Sequence, residues 1–210
     1  MRRRRGSWRS ARFLVVDTET TGLDPAADEV ISFAAIPIES GRIAAGGLVE
    51  GLVRPRRPPA AESVEIHGLR AADLDFAPAA PEAIAPLASA LDERTPVAHA
   101  AWVEQAFLHR HLVALGTAWP RRVADTALLF RLLWLERGKD DPGLCSLASI
   151  AAALGLPSHR PHRAEGDALT TAQVFLALAT HLEAHGHGTL RALTDAERRL
   201  REWELWRPSG

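Results

Sequence analysis

Hydrophobic positions recur along this chain with two different periods, and the order in which the periods alternate predicts an α/β domain. Residues 12–19 (RFLVVDTE) are short, β-branched and closed by Thr20, Thr21 and Gly22, the pattern of a buried strand ending in a turn. Residues 29–39 and 42–54, separated by Ser40 and Gly41, predict a hairpin that continues the first strand as an antiparallel meander, and prolines 55, 58 and 59 end it. Residues 81–94 open on Pro81 and carry Ile84, Leu87, Ala88 and Leu91 at helical spacing. A short strand at 95–99 (TPVAH) precedes a helix at 102–115, with Val103, Ala106, Phe107, Arg110 and Leu115 near one stripe. Strand and helix alternate again at 122–126 and 127–137, which predicts parallel neighbours with crossover helices. Helices follow at 146–154, stopped by Gly155 and Pro157, and at 165–184. Thr194-Asp195-Ala196-Glu197 reads as a capping box opening a last helix, with Leu193, Leu200, Trp203 and Trp206 near a common side; such a helix suits a lid, a dimer element or a docking surface. The fold expected is a central mixed five-stranded sheet, a three-strand antiparallel meander plus two parallel strands, flanked by helices.

The 210 residues are 47% hydrophobic and 24% charged, enough to bury one sizeable core. The net charge of −1 gives no global cationic field, but its distribution is uneven. Arg2, Arg3, Arg4, Arg5, Arg9 and Arg12 precede the first acid, Asp17; the remainder holds 19 basic and 26 acidic residues, a net −7. Residues 1–11 therefore read as a disordered basic arm on an acidic body, which can handle a polyanion only through local arginines or bound cations. The single Cys145 excludes an intramolecular disulfide and a cysteine-built zinc site, and fits a reducing, cytoplasmic setting. The longest uncharged stretch, residues 142–159, is interrupted by glycine and proline, so no membrane span is expected.

Three constellations carry candidate chemistry. Asp17 and Glu19 lie two apart at the end of a strand, so both carboxylates project to one face at the rim of a buried sheet, where their repulsion is costly without a hard cation such as Mg²⁺ or Mn²⁺. His162 and Asp167 are five apart, a rotation of about 500° in a regular helix, which places His162 on the turn after Pro161 and Asp167 in the first turns of the helix that follows. Finally, His99 ends a strand and Glu104 sits about one turn into the next helix.

Together these segments resemble the DEDDh exonuclease family, the 3′-to-5′ exonucleases that include the epsilon proofreading subunit of the bacterial replicative polymerase, RNase T and oligoribonuclease. The resemblance runs from about Phe13 to Leu182. It rests on Val15-Val16-Asp17-Thr18-Glu19-Thr20-Thr21-Gly22-Leu23, on Ile66-His67-Gly68-Leu69, on Asp125-Thr126, and on His162 followed five residues later by Asp167. The sister subclass uses tyrosine in place of the histidine, and this chain has no tyrosine. The middle motif departs from the pattern, with Ala100 for the usual asparagine and Glu104 for the usual aspartate.

The resemblance implies an RNase H-like fold, with an exonuclease domain over residues 12–187 and a helical extension over 188–210. It also implies two Mg²⁺ or Mn²⁺ ions held by Asp17, Glu19, Glu104 and Asp167, with Asp17 bridging, and His162 as general base. Nucleoside 5′-monophosphates would be released one at a time from single-stranded DNA or RNA 3′ ends. Thr18, Thr20, Thr21, Gly22, Leu23, His67, His99 and Phe107 are expected to form the pocket for the terminal nucleotide, although Leu23 and Phe107 equally suit plain core packing. Arg160 and Arg163, flanking His162, are the arginines expected to meet phosphate. Glu104 is expected to weaken the preference for Mg²⁺, which tolerates misplaced oxygens poorly. The departures at 100 and 104 also leave open a catalytically weak binding module on the same fold, or a polymerase accessory that docks, or forms a homodimer, through its last helix.

Overall fold

Side-chain alternation along β1 (Arg12–Thr20) sets the layering of the molecule, whose computed structural model describes residues 6–206. Phe13 and Val15 enter one core and Leu14 and Val16 the other, all fully buried, so the strand is covered on both faces. β2 (Val30–Glu39) runs antiparallel to β1, with Asp17 opposite Ala34 and Glu19 opposite Ser32, and the register slips between Glu19 and Thr20 as the strand leaves the sheet. β5 (Thr95–Ala98) lies parallel to β1 on its other side, and β6 (Ala124–Asp125) parallel to β5.

The expected third strand is split. β3 (Arg42–Ile43) and β4 (Val49–Leu52) both pair antiparallel with β2, but a 3-10 turn at Ala45–Gly47 separates them. Pro37 of β2 supplies the reason: its carbonyl accepts from Ala44 N–H, yet it has no N–H to return, so the ladder fails at that step. The order β3-β2-β1-β5-β6, with β4 also on β2, is the mixed sheet expected, its third position built from two pieces.

Short helices α1 (Ala61–His67) and α2 (Ala71–Leu74) fill the stretch between the meander and α3 (Ala80–Leu91). α3 and α4 (Trp102–Ala114) cover the face of Leu14 and Val16. The buried stripe of α4 is Glu104, Phe107, Leu108 and Leu112, rotated from the expected one; Phe107 is a core residue and Glu104 is carried on the same inward side. α5 (Thr126–Glu136), α6 (Leu147–Ala153) and α7 (Ala164–Ala184) cover the opposite face. Ala164, Ala168 and Ala172, one turn apart, let the start of α7 approach the sheet closely.

Both ends of the chain join this second core. α8 (Leu190–Thr194) and α9 (Ala196–Trp206) insert Leu193 and Leu200 into it, Trp203 packs against it, and Arg131 of α5 holds Glu204 at 2.7 Å. The expected capping box does not form: Thr194 Oγ1 donates to the Leu190 carbonyl inside α8. The side chain of Trp206 lies outside the described residues, as do Arg2, Arg3, Arg4 and Arg5 of the expected disordered arm. The rest of that arm is packed rather than loose. Trp8 is fully buried with its ring edge-on to Phe175, its Nε1 donates to Glu183 Oε2 at 3.3 Å, and Arg9 donates to the same carboxylate at 3.0 Å. An indole has too much apolar surface to leave in water when a site on the core is within reach. Among the described residues no helix is long and apolar enough to cross a membrane.

Truncating this indole is expected to remove about 3–5 kcal/mol of stability in Trp8→Ala, whereas Arg9→Ala, which breaks a half-exposed ion pair, costs under about 1 kcal/mol; urea midpoints of the two variants compare them directly.

Candidate active site

The candidate site lies where the carboxyl end of β1 meets the start of α7, flanked by the two strand-to-helix junctions β5–α4 and β6–α5. From β1 come Asp17 and Glu19, projected to the α7 face by the two-residue alternation of the strand. From the first turn of α7 comes Asp167. One ligand atom from each of the three lies within 4.8 Å of the others, a spacing that suits a shared cation. Glu104 approaches from α4, 3% exposed, and its Oε2 has no hydrogen-bond partner among the described residues. A buried carboxylate oxygen without a donor is costly unless a cation completes it.

Electrostatics report the same strain. Burial first, then the charges of Glu104, Asp167 and Glu19, hold the Asp17 carboxyl well above the ordinary carboxylate range. Burial and the neighbouring Asp167 push Glu19 up to about 7, against the opposing pull of Arg163. Burial pushes Glu104 up to about 8, with Asp125 and Glu19 adding to it and its own backbone N–H acting the other way. Asp167 is raised by burial and lowered by the hydrogen bond from His162 N–H, 2.8 Å long. Burial and mutual repulsion thus work against ionisation of these acids; divalent ions would offset both, and the donor set of four carboxylates fits hard cations such as Mg²⁺ or Mn²⁺.

His162 stands on the exposed turn before α7, as its spacing from Asp167 predicts, with its backbone at φ +61° and Arg160 at +36°. Both occupy the left-handed region unfavourable to side chains. Gly166 holds this turn in place. A Cβ there would lie 2.2 Å from the His159 carbonyl oxygen and 2.6 Å from that of Arg160, so only glycine lets α7 begin directly against the loop. Arg160 pairs with Glu165 at 3.5 Å, and Arg163 borders a cleft of about 380 Å³ beside Glu19, Leu52 and Leu69.

The turn after β1 is built by its own hydrogen bonds. Thr20 Oγ1 donates to the Gly22 carbonyl, and Thr21 Oγ1 donates to Asp28 Oδ1 while accepting from Glu29 N–H. The Asp28 carboxylate sits where a Cβ on Gly22 would be, only 2.4 Å away. Leu23 projects into solvent, 88% exposed, which excludes the core-packing role for it and leaves it free to cover a ligand. His67 is buried, its Nδ1 accepts from Leu69 N–H, and Nε2 has no well-formed partner. Thr18 Oγ1 is likewise buried and unpaired. Burial lowers His67 and His99 from the ordinary histidine value, and His99 Nδ1 lies 3.0 Å from Thr126 Oγ1.

One organising residue was quoted in the sequence without a role. The Asp125 carboxylate accepts from four backbone N–H groups, those of Ala100, Ala101, Ala127 and Leu128, so it caps α5 and fixes the segment that launches α4. Glu104 owes its position to this anchor. Ala100, at φ +55°, occupies a left-handed position that asparagine tolerates better than alanine, which gives a physical meaning to the departure at that site.

Residues 14–175 match the exonuclease family typified by RNase T. The chain belongs to that exonuclease family. A DNA polymerase III subunit epsilon-like protein of Rhodobacter capsulatus is 36% identical over 86% of this chain, and a PolC-type DNA polymerase III of Thermotoga petrophila is 34% identical over a similar share. The chain spans only 25% and 13% of those two relatives. Among solved structures, exonuclease X in complex with 5′ overhanging duplex DNA superposes with a TM-score of 0.67 at 24% identity, covering 88% of this chain and 98% of that one. Exonuclease I of E. coli in complex with a dT13 oligonucleotide gives 0.71 at 19%, covering 83% and 42%. The exonuclease fold is therefore the RNase H-like one expected.

The acids raised by crowding give this exonuclease domain a distinct pH dependence. Glu104 binds its proton more tightly folded than unfolded, so its contribution to stability is complete below the unfolded carboxylate value and is lost as pH rises through its folded value. Between about pH 7 and about pH 9, where unfolded histidines have already lost their protons, the melting temperature in EDTA is expected to fall, less steeply in Glu104→Gln, and added Mn²⁺ is expected to raise it most at the alkaline end.

Proposed function

We propose that the chain is a divalent-metal-dependent 3′-to-5′ exonuclease that releases nucleoside 5′-monophosphates from single-stranded DNA or RNA ends. The observation that carries this reading is the meeting of Asp17, Glu19 and Asp167 within 4.8 Å beside a buried, unpaired Glu104 oxygen. Alone, four carboxylates repel a phosphodiester. Two Mg²⁺ or Mn²⁺ ions held there would neutralise that charge and acidify a water. Asp17 feels the charge of both Glu104 and Asp167, so its carboxylate would help to hold the ions.

The remaining residues bind, orient and move the proton. His162, exposed on a turn tethered to Asp167 only through its backbone N–H, keeps its imidazole free to accept the proton of the attacking water. The Thr20–Leu23 turn, with Thr18, His67 and His99, supplies the pocket for a terminal sugar and base; Thr18 Oγ1 and His67 Nε2 are buried without a well-formed hydrogen bond among the described residues. Arg163, at the mouth of the cleft beside Glu19, and Arg160 meet the phosphate. Phe107 is buried in the core, where it supports α4.

With end-labelled oligonucleotides and Mg²⁺ or Mn²⁺, the wild type is expected to produce a ladder shortening one nucleotide at a time from the 3′ end. Asp17→Ala should fall to background, whereas Glu104→Asp should keep or increase its Mg²⁺-dependent rate, because the shorter acid restores the family's usual ligand. Intact substrate under both metals, together with retained binding, would replace this reading with that of a binding module.

A further inference from the structure

Beyond β6, at the edge of the sheet, lies a pocket of about 390 Å³ that no part of the proposed reaction uses. Its walls come from the start of α4 (Ala101, Trp102 and Gln105), the segment before β6 (Arg121), the start of α5 (Leu128) and Leu144. Trp102 is 62% exposed and Leu144 73%, so a large indole face and an aliphatic side chain stand in water. Helical geometry separates Trp102 from Glu104 by about 200°, so the same first turn of α4 buries its carboxylate inward and holds its indole outward.

Of the charged groups in the lining, both acids already have partners, and Arg121 alone is left to meet a ligand. Asp125 is occupied by four backbone N–H groups, and Glu197 pairs with Arg201. Arg121 is exposed and has no ion pair among the described residues. A flat aromatic face beside a free guanidinium is the combination that holds unpaired bases and their phosphates. The pocket also adjoins the candidate active site, because Ala100 and Ala101, which line it, connect His99 to the helix bearing Glu104.

We infer that this pocket is a second nucleotide subsite, in which Trp102 stacks on an unpaired base of the substrate strand upstream of the scissile bond while Arg121 meets its phosphate. The inference rests on the nuclease reading for its substrate, but the binding it describes can be measured without turnover. The subsite matters only to a strand long enough to reach it from the terminal pocket.

The test is the affinity of fluorescently labelled single-stranded trinucleotides and octanucleotides in EDTA, by anisotropy. The wild type is expected to gain affinity from three to eight nucleotides. Trp102→Ala is expected to lose about tenfold on the octanucleotide and less on the trinucleotide, with Trp102→Phe recovering most of it. Arg121→Gln is expected to flatten the dependence of octanucleotide affinity on salt by about one counterion. No gain with length in the wild type, an unchanged octanucleotide affinity in Trp102→Ala, or an equal loss at both lengths would overturn the subsite; equal loss would mark a displaced α4. If the wild type hydrolyses nothing with Mg²⁺ or Mn²⁺ yet shows the length pattern and its loss in Trp102→Ala, the nuclease reading fails and the subsite stands. If it hydrolyses substrate and the variants bind like wild type, the subsite alone fails.

Discussion

Like charges forced together at the end of a buried strand are the constraint from which the rest of this molecule follows. β1 is apolar on both faces up to Val16, and the next residues on the α7 side are two carboxylates. The sheet cannot withdraw them into water without unpairing from β2, since Asp17 and Glu19 still hold their register against Ala34 and Ser32. Bringing Asp167 and Glu104 to the same spot deepens the cost, and proteins tolerate such crowding where a ligand offsets it. Stability is thereby given up at this locus, and a divalent cation held there would restore it, linking metal affinity to fold stability.

Two devices keep the acids in place against their repulsion. Gly166 lets α7 start in contact with the carbonyls of the preceding loop, which fixes Asp167 from below. Asp125 ties the starts of α4 and α5 together through backbone donors, which fixes Glu104 from the side. The first works by excluding a side chain and the second by supplying one. Each acts on the frame, leaving the ligand oxygens unencumbered.

Much of this was legible in the sequence because it follows from short-range geometry. Two-residue alternation placed Asp17 and Glu19 on one face, and the five-residue gap placed His162 on a turn and Asp167 in a helix, as observed. The break in the third strand was not legible, since it depends on Pro37 standing opposite Ala44, a pairing that exists only once the hairpin forms. The stripe of α4 is rotated from the expected one because Glu104, polar by type, shares the buried side with Phe107, Leu108 and Leu112, which a pattern of apolar positions does not show. Gly166 lay in full view within its motif, yet nothing in the residue order shows that two carbonyls close upon it.

The indole near the amino end extends the consequences of the fold past the stretch that matches the family model. Helix α7 is 21 residues long, roughly 30 Å at 1.5 Å per residue, with Asp167 at one end and Glu183, the partner of Trp8 and Arg9, at the other. The family match begins at residue 14, six positions after that tryptophan. Trimming the chain to the boundary suggested by kinship would thus pull a wedge from beneath the far end of the same rod that presents a metal-site carboxylate, and the smallest piece that folds well is set by packing rather than by ancestry.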